Sequence, residues 1–426
     1  MERKHVARST PESELFKIPI EKYKECIMTE EKKKEILDIF MHSNNLRSKK
    51  EYKEIKRELH RACVKGDVEL IKIYLGETIE DESKEMRFKI DKTNKTASLI
   101  KVNSTNEQLT IPRTVIHEST DYLISSININ IDATIINFVE DSAVKVIYNV
   151  GMLSRVKEIY FPSNLKELKE GWRKYTEKLD RIIISPSNDN FIFKDDKYLL
   201  GKSDENQEEF DTLIFVRRNI ETICIPSNIK IISSHAFHHC YITTKVEFQP
   251  NSNLQIIEDH AFEESNVKEF IFPSSVFKIG RFLFNDCHYL RKVEFQPDSR
   301  LQTIDEYTFA YSNIMEITIP SSVTKIGQGS FRNCKNLRKV RIHKKSNLQA
   351  IEKYAFSRSN IEEIYFPSSL KELKEGWCAD TEKLNKIIIS PSNDNFIFKD
   401  DKYLLGKSDG NQEEFDTLIF VRRDIE

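Results

Sequence analysis

From about Ser98 onward, short apolar-x-apolar runs recur at intervals of 23 or 24 residues, apart from 27 at the first step and 41 between Ile182 and Ile223. They fall at Leu109–Ile111, Ile136–Phe138, Ile159–Phe161, Ile182–Ile184, Ile223–Ile225 and Val246–Phe248. They continue at Phe270–Phe272, Val293–Phe295, Ile317–Ile319, Val340–Ile342, Ile364–Phe366 and Ile387–Ile389. Period-two alternation turns the outer two side chains of each run to one face and the middle one to the other. Each run therefore predicts a short strand with an inward pair and an outward middle residue. Runs followed by Pro-Ser place their prolines at 226, 273, 320 and 367, a spacing of 47 each time. Each half-period then supplies a small or apolar residue followed by Phe, as in Ala236-Phe237, Leu283-Phe284 and Ser330-Phe331. These aromatics are expected as buried pegs, with Trp172 and Trp377 at the same place. Self-similarity of this kind predicts stacked coils, none able to bury its apolar face alone.

A longer repeat overlies the shorter one. Residues 156–221 recur as 361–426, offset by 205, with 56 of 66 positions identical. Each copy carries an insertion, 190–216 and 395–421, whose alternating apolar residues predict a β-hairpin protruding from one continuous stack. The first copy runs on from Glu221 into Ile223-Cys224-Ile225-Pro226, whereas the second reaches Glu426. The reading therefore expects an open sheet edge there, to be covered by the hairpin, a partner or further sequence.

Upstream the period changes. Residues 1–19 read as a flexible N-terminus and 20–76 as helical. Thr29 can cap a helix with Glu30 and Glu31 in its first turn and Ile36, Leu37, Ile39 and Phe40 along one stripe. The stretch from Leu59 to Ile71 resembles part of one ankyrin repeat, which cannot stand alone and so serves as a helical cap. Residues 77–97 are polar and read as a linker; 98–426 is the stack. The whole is predicted to be an α+β repeat protein, a β-rich solenoid with a helical N-terminal cap and two inserted hairpins.

The repeat pattern Ile-x-Ile-Pro-Ser-x-[Val/Ile]-x-x-Ile, then Ala-Phe-x-x-Cys-x-x-Leu-x-x-Val-x-Phe, resembles the BspA-type leucine-rich repeat over residues 98–426. Members of that class include bacterial surface proteins and protist surface antigens. The resemblance implies a solenoid used for protein contacts, adhesion among them.

Composition narrows the partner. Net charge is −2 with 31% charged and 39% hydrophobic residues, which gives no pull toward nucleic acid. Lys32-Lys33-Lys34 is balanced by Glu30, Glu31 and Glu35, as on a solvated helix face. No run approaches the roughly 18 apolar residues of a membrane span. The first residues lack the apolar core of an export leader, so a cytoplasmic site is favoured on sequence, while the resemblance keeps the cell surface open. Cys240, Cys287 and Cys334 recur at intervals of 47. Stations two coils apart lie about 10 Å from one another, too far for a disulfide, so these read as buried reduced thiols.

Candidate chemistry is sparse. His235, His238, His239 and Cys240 offer zinc-ligand types, but only the cysteine recurs one and two periods on. The histidines are accordingly expected at tolerant surface stations, with no metal and no cofactor. Asp195-Asp196, Asp400-Asp401, Glu208-Glu209 and Glu413-Glu414 fall on expected turns or polar loops, whereas glycoside chemistry needs carboxylates held across a cleft. Gly280 and Gly327 lack the Gly-Lys-Ser/Thr that completes a phosphate loop. What remains is the outward ladder. Tyr160, Glu247, Glu294, Thr318, Arg341 and Tyr365 are the candidate partner-binding residues, of the types that anchor protein interfaces. The expected function is non-enzymatic protein binding through the strand face. The alternatives are an intracellular scaffold and a carbohydrate-active solenoid enzyme.

Overall fold

The computed structural model describes residues 77–80, 85–103, 106–128, 133–149, 155–170, 172, 178–400, 402–407 and 414–421. The N-terminal segment 1–19 and the helical, ankyrin-like region 20–76 lie outside them. The described residues form thirty-two strands and no helix. For them the α+β class is corrected to all-β, because downstream of residue 76 the apolar spacing is two rather than 3.6.

The first compact unit takes in the described residues up to 103 together with 112–128. Glu77–Glu80, Met86–Asp91 and Thr96–Val102 pair antiparallel in that order. Thr120–Asn128 joins Thr96–Val102 in parallel and folds back antiparallel on Thr114–His117. Glu77–Glu80 and Met86–Asp91 thus place strands within the stretch 77–97 that was expected to be a linker. Met86, Phe88 and Ile90 alternate inward along a segment whose intervening charges hide the period. Phe88, Leu99, Ile124 and Ile127 are fully buried in it.

The second unit is the coil stack, and all twelve expected strands are present in it, each one residue longer at its start. Gln108–Ile111, Ile135–Phe138, Glu158–Phe161 and Arg181–Ile184 form a four-stranded parallel sheet. Eight more strands, from Thr222–Ile225 to Lys386–Ile389, form a second. The coils from Thr222–Ile225 to Glu363–Phe366 each also contribute a two-residue strand, such as Ile256–Ile257 or Lys325–Ile326, to a narrow wall. Pairing in the eight-stranded sheet alternates. Thr222–Ile225 matches Lys245–Phe248 over four residues, but Lys245–Phe248 meets Glu269–Phe272 only through Lys245 and Glu269. The turn lengths alternate in step. Ile225 is six positions before Ile231, whereas Phe248 is eight before Ile256, with Asn251 at φ 59° in the longer turn. The 47-residue period is therefore a pair of coils, tight within and looser between.

The aromatic pegs fill the interior. Phe237, Phe262, Phe284, Phe309, Phe331 and Phe356 stack in sequence at 4.3, 5.1, 5.7, 5.4 and 5.2 Å. Trp377 closes the row edge-on to Phe356 at 6.4 Å. Its backbone holds the small-residue station, one before the peg: Phe331 N bonds Ala355 O, and Phe356 N bonds Trp377 O. The larger indole still reaches the core from there and is 2% exposed.

The cysteine stations are buried and reduced, and more than apolar filler. Cys287 Sγ donates to Phe262 O and Cys334 Sγ to Phe309 O, each at 3.0 Å. Burial pushes both thiols up to about 12. A raised folded value means the stabilisation is complete below the unfolded thiol range and is lost as pH rises toward about 12. Above about pH 8.5 each thiol should cost about 1.4 kcal/mol of stability per pH unit. Urea midpoints at pH 8 and 10 check this: a Cys287→Ala/Cys334→Ala variant should lose less between them than the parent.

The insertions depart from expectation. Phe191–Lys194, Tyr198–Gly201 and Thr212–Val216 form a three-stranded antiparallel meander, not a protruding hairpin. Its last strand pairs in parallel with Ile231–Ile232 and so becomes part of the narrow wall. Tyr198 through Gly201 are all buried, because a strand apolar on both faces must be covered on both. The Tyr198 hydroxyl donates to Cys224 O at 2.6 Å. Asp211 is buried as well and accepts from Ser203, Gln207 and Lys230, closing the loop that precedes the strand. The wide sheet is interrupted here, between Arg181–Ile184 and Thr222–Ile225. One continuous stack of strands is thereby corrected to two sheets joined through a meander. The second copy, Phe396–Lys399, Tyr403–Gly406 and Thr417–Val421, repeats the register and the bulge.

Candidate outward face of the eight-stranded sheet

Within each four-residue strand, stations two and four point inward and stations one and three outward. Thr222–Ile225, Glu269–Phe272 and Glu316–Ile319 all alternate exposed, buried, exposed, buried. The first station alternates in sign from Lys245 through Glu269, Lys292, Glu316, Lys339 and Glu363 to Lys386. The third reads Cys224, Glu247, Ile271, Glu294, Thr318, Arg341, Tyr365 and Ile388.

These two columns neutralise one another. Lys245 meets Glu247 at 2.6 Å, Lys292 meets Glu294 at 3.0 Å, Arg341 meets Glu316 at 3.0 Å and Lys386 meets Glu363 at 2.7 Å. Hydrogen bonding to Glu247 and to Glu294 raises the ammonium groups of Lys245 and Lys292 above the usual lysine range. Exposed pairs of this kind contribute little stability, because water screens them and ordering two long side chains costs entropy. Their effect is on recognition. Like charges never stand in adjacent first stations, and over both columns five cations balance five anions. Among the large apolar side chains, Ile271 is 44% exposed on this face.

Five of the six expected contact residues share this sheet: Glu247, Glu294, Thr318, Arg341 and Tyr365. Thr318 and Arg341 are direct cross-strand neighbours, as are Tyr365 and Ile388. Tyr365 is half-buried and leans on the core rather than standing free. Tyr160 lies on the four-stranded sheet and is not brought together with the others; its hydroxyl is raised chiefly by hydrogen bonding to Glu158. The alternating first station was legible as Lys and Glu one position before each apolar run, and belongs to the same surface.

The remaining motifs resolve into structure. Asp195 and Asp196 form the first turn of the meander with φ near 55°, and Asp196 pairs with Arg217. Glu247 and Glu294 stand two strands apart on one sheet face and each is ion-paired, unlike carboxyls set across a cleft. Gly280 and Gly327 mark close approaches of successive coils, since a Cβ would lie 2.4 Å from Asp259 N and 2.7 Å from Asp305 C. His235 and His238, expected at the surface, are buried at 4% and 3%. Their turns tuck against the following coil, whose Glu263 carbonyl is 2.9 Å from His238 Nδ1.

Short parallel strands, one per coil, with a narrow second wall and a row of stacked aromatics between, define a leucine-rich-repeat solenoid. Residues 208–338 and 302–401 match the BspA type leucine rich repeat region, in six copies. BspA-type leucine-rich repeats therefore make up residues 208–401. The fold is similar to that of a leucine-rich repeat protein from Eubacterium ventriosum, at 16% identity and TM-score 0.50, covering 72% of this chain and 95% of that one. A leucine-rich repeat protein from Bacteroides ovatus is 19% identical over 72% of this chain and 70% of its own, with a TM-score of 0.37. No curated protein sequence matches. Among the described residues no helix is long and apolar enough to cross a membrane.

Proposed function

We propose that the chain is a non-enzymatic protein-interaction module that engages a protein partner through the outward face of the eight-stranded sheet. The observation that carries this reading is the pair of exposed, charge-compensated columns on a hydrogen-bonded sheet. Such a face has no long-range attraction for a polyanion. It holds alternating charges, a hydroxyl and apolar side chains at fixed spacing, which suits recognition by a surface of complementary pattern. Glu247, Glu294, Thr318, Arg341 and Tyr365 are the contact residues on this reading. Adhesion or antigenic display at the cell surface is one setting for such binding and an intracellular scaffold is another; immunolocalisation in the source cell separates them.

Arg341→Ala with Tyr365→Ala is the discriminating variant. Arg341 is exposed and Tyr365 only half-buried, so the pair should leave the melting temperature within a few degrees of the parent. Partner recovery from source-cell extract, read by quantitative mass spectrometry, should fall at least tenfold. Undiminished recovery by a folded double variant would remove this face from consideration.

A further inference from the structure

The turn that opens the run of Phe pegs holds a cluster the repeat does not require. His235, His238 and Glu263 each offer a ligand atom within 4.8 Å of the other two. Both imidazoles are buried. The same turn is built in the following coils without this set. The station of His235 becomes His260, Phe282, Tyr307, Gly329 and Tyr354, and that of His238 becomes Glu263, Asn285, Ala310, Arg332 and Ser357. The coil geometry therefore needs neither buried imidazole. Two imidazoles and a carboxylate on adjacent coils call for an account beyond packing.

We propose that His235, His238 and Glu263 bind a zinc ion. Imidazole nitrogen with carboxylate oxygen is a zinc donor set, and three protein ligands leave a fourth position for water. The surroundings supply the orienting contacts such a site uses. His238 Nδ1 faces the Glu263 carbonyl at 2.9 Å. That oxygen only accepts, so in the neutral ring Nδ1 carries the proton and Nε2 keeps the lone pair. The Glu263 carboxylate is held on one oxygen by His260 Nδ1 at 2.8 Å and on the other by Asn285 Nδ2 at 3.2 Å. The His235 ring is fixed by stacking on His260 at 4.9 Å, 10° from parallel. Glu263 and His260 are 13% and 23% exposed along their side chains, which gives the ion and its water a way in from solvent. Cys240 takes no part, being turned into the core.

The test uses the untagged full chain, stripped with chelator and titrated with zinc chloride alone by calorimetry, with melting temperature read in parallel. One zinc per chain and a zinc-dependent rise in melting temperature are expected. Glu263→Gln and His238→Ala should each weaken that binding by more than about 100-fold, beyond the loss typical of an outer-shell change. His288→Ala, at an exposed histidine on a later coil and outside the cluster's stations, should leave it intact. Should His238→Ala fail to fold, Glu263→Gln alone decides, because its side chain lies at the solvent margin. Absence of heat and of a thermal shift, or zinc affinity unchanged in Glu263→Gln, would overturn the assignment.

Discussion

Phe284→Ala should destabilise the protein by about 3–5 kcal/mol, the range for deleting a fully buried aromatic side chain. Phe284 has no exposed surface. Its ring stacks between Phe262 at 5.1 Å and Phe309 at 5.7 Å, and meets Phe270 and Phe272 edge-on at 5.1 and 6.2 Å. The cavity left behind cannot close easily, because the peg turns are tied coil to coil. Phe262 N bonds Leu283 O and Phe284 N bonds Thr308 O, at 3.0 and 2.7 Å. In a one-dimensional stack the loss also weakens both neighbouring interfaces, so urea unfolding should broaden as well as shift. A midpoint lowered by less than about 1 kcal/mol equivalent would mean that the aromatic row does not hold the coils together.

The two long repeats offer the second large effect as an internal control. Leu213 and Leu418 occupy the same place in identical seven-residue segments, Phe210–Val216 and Phe415–Val421. Leu213 is fully buried because Thr212–Val216 pairs with Ile231–Ile232 and packs under that coil. Leu418 is 56% exposed, and among the described residues Thr417–Val421 pairs only with Tyr403–Gly406. Leu213→Ala should therefore cost about 2–5 kcal/mol, while Leu418→Ala should stay within about 0.5 kcal/mol. Thermal or urea unfolding of the two single variants measures the contrast. Equal losses would show that local sequence, not the neighbouring coil, sets the energetics of this strand.

That contrast also explains which parts of the fold were readable from the chain. The strand of each coil is signalled locally: Ile317-Thr318-Ile319 alternates, Pro320 ends it, and Phe309 and Phe331 recur at fixed offsets. Each of these rests on a few neighbouring residues, so period and turn chemistry suffice. The meander was half legible. Its apolar runs were visible, but the pairing of Thr212–Val216 with Ile231–Ile232 is a contact between coils that no local pattern encodes. The strands at Met86–Asp91 and Thr96–Val102 were lost for a different reason, their short alternation being diluted by lysines, an arginine and an aspartate. For the surface, outward stations followed directly from period two. Their mutual neutralisation did not, because it depends on which coils stand side by side. The histidines show the same limit: variation between repeats signalled tolerance, whereas burial shows that two of them are inside.

The central claim, that the outward face of the eight-stranded sheet receives the partner, is tested most directly by photo-crosslinking. A benzophenone amino acid is placed at Thr318, exposed on that face, or at Lys325, exposed on the narrow wall of the following turn. After irradiation in source-cell extract, a discrete protein adduct is predicted from position 318 and not from position 325. An adduct at 325 with none at 318 would contradict the account.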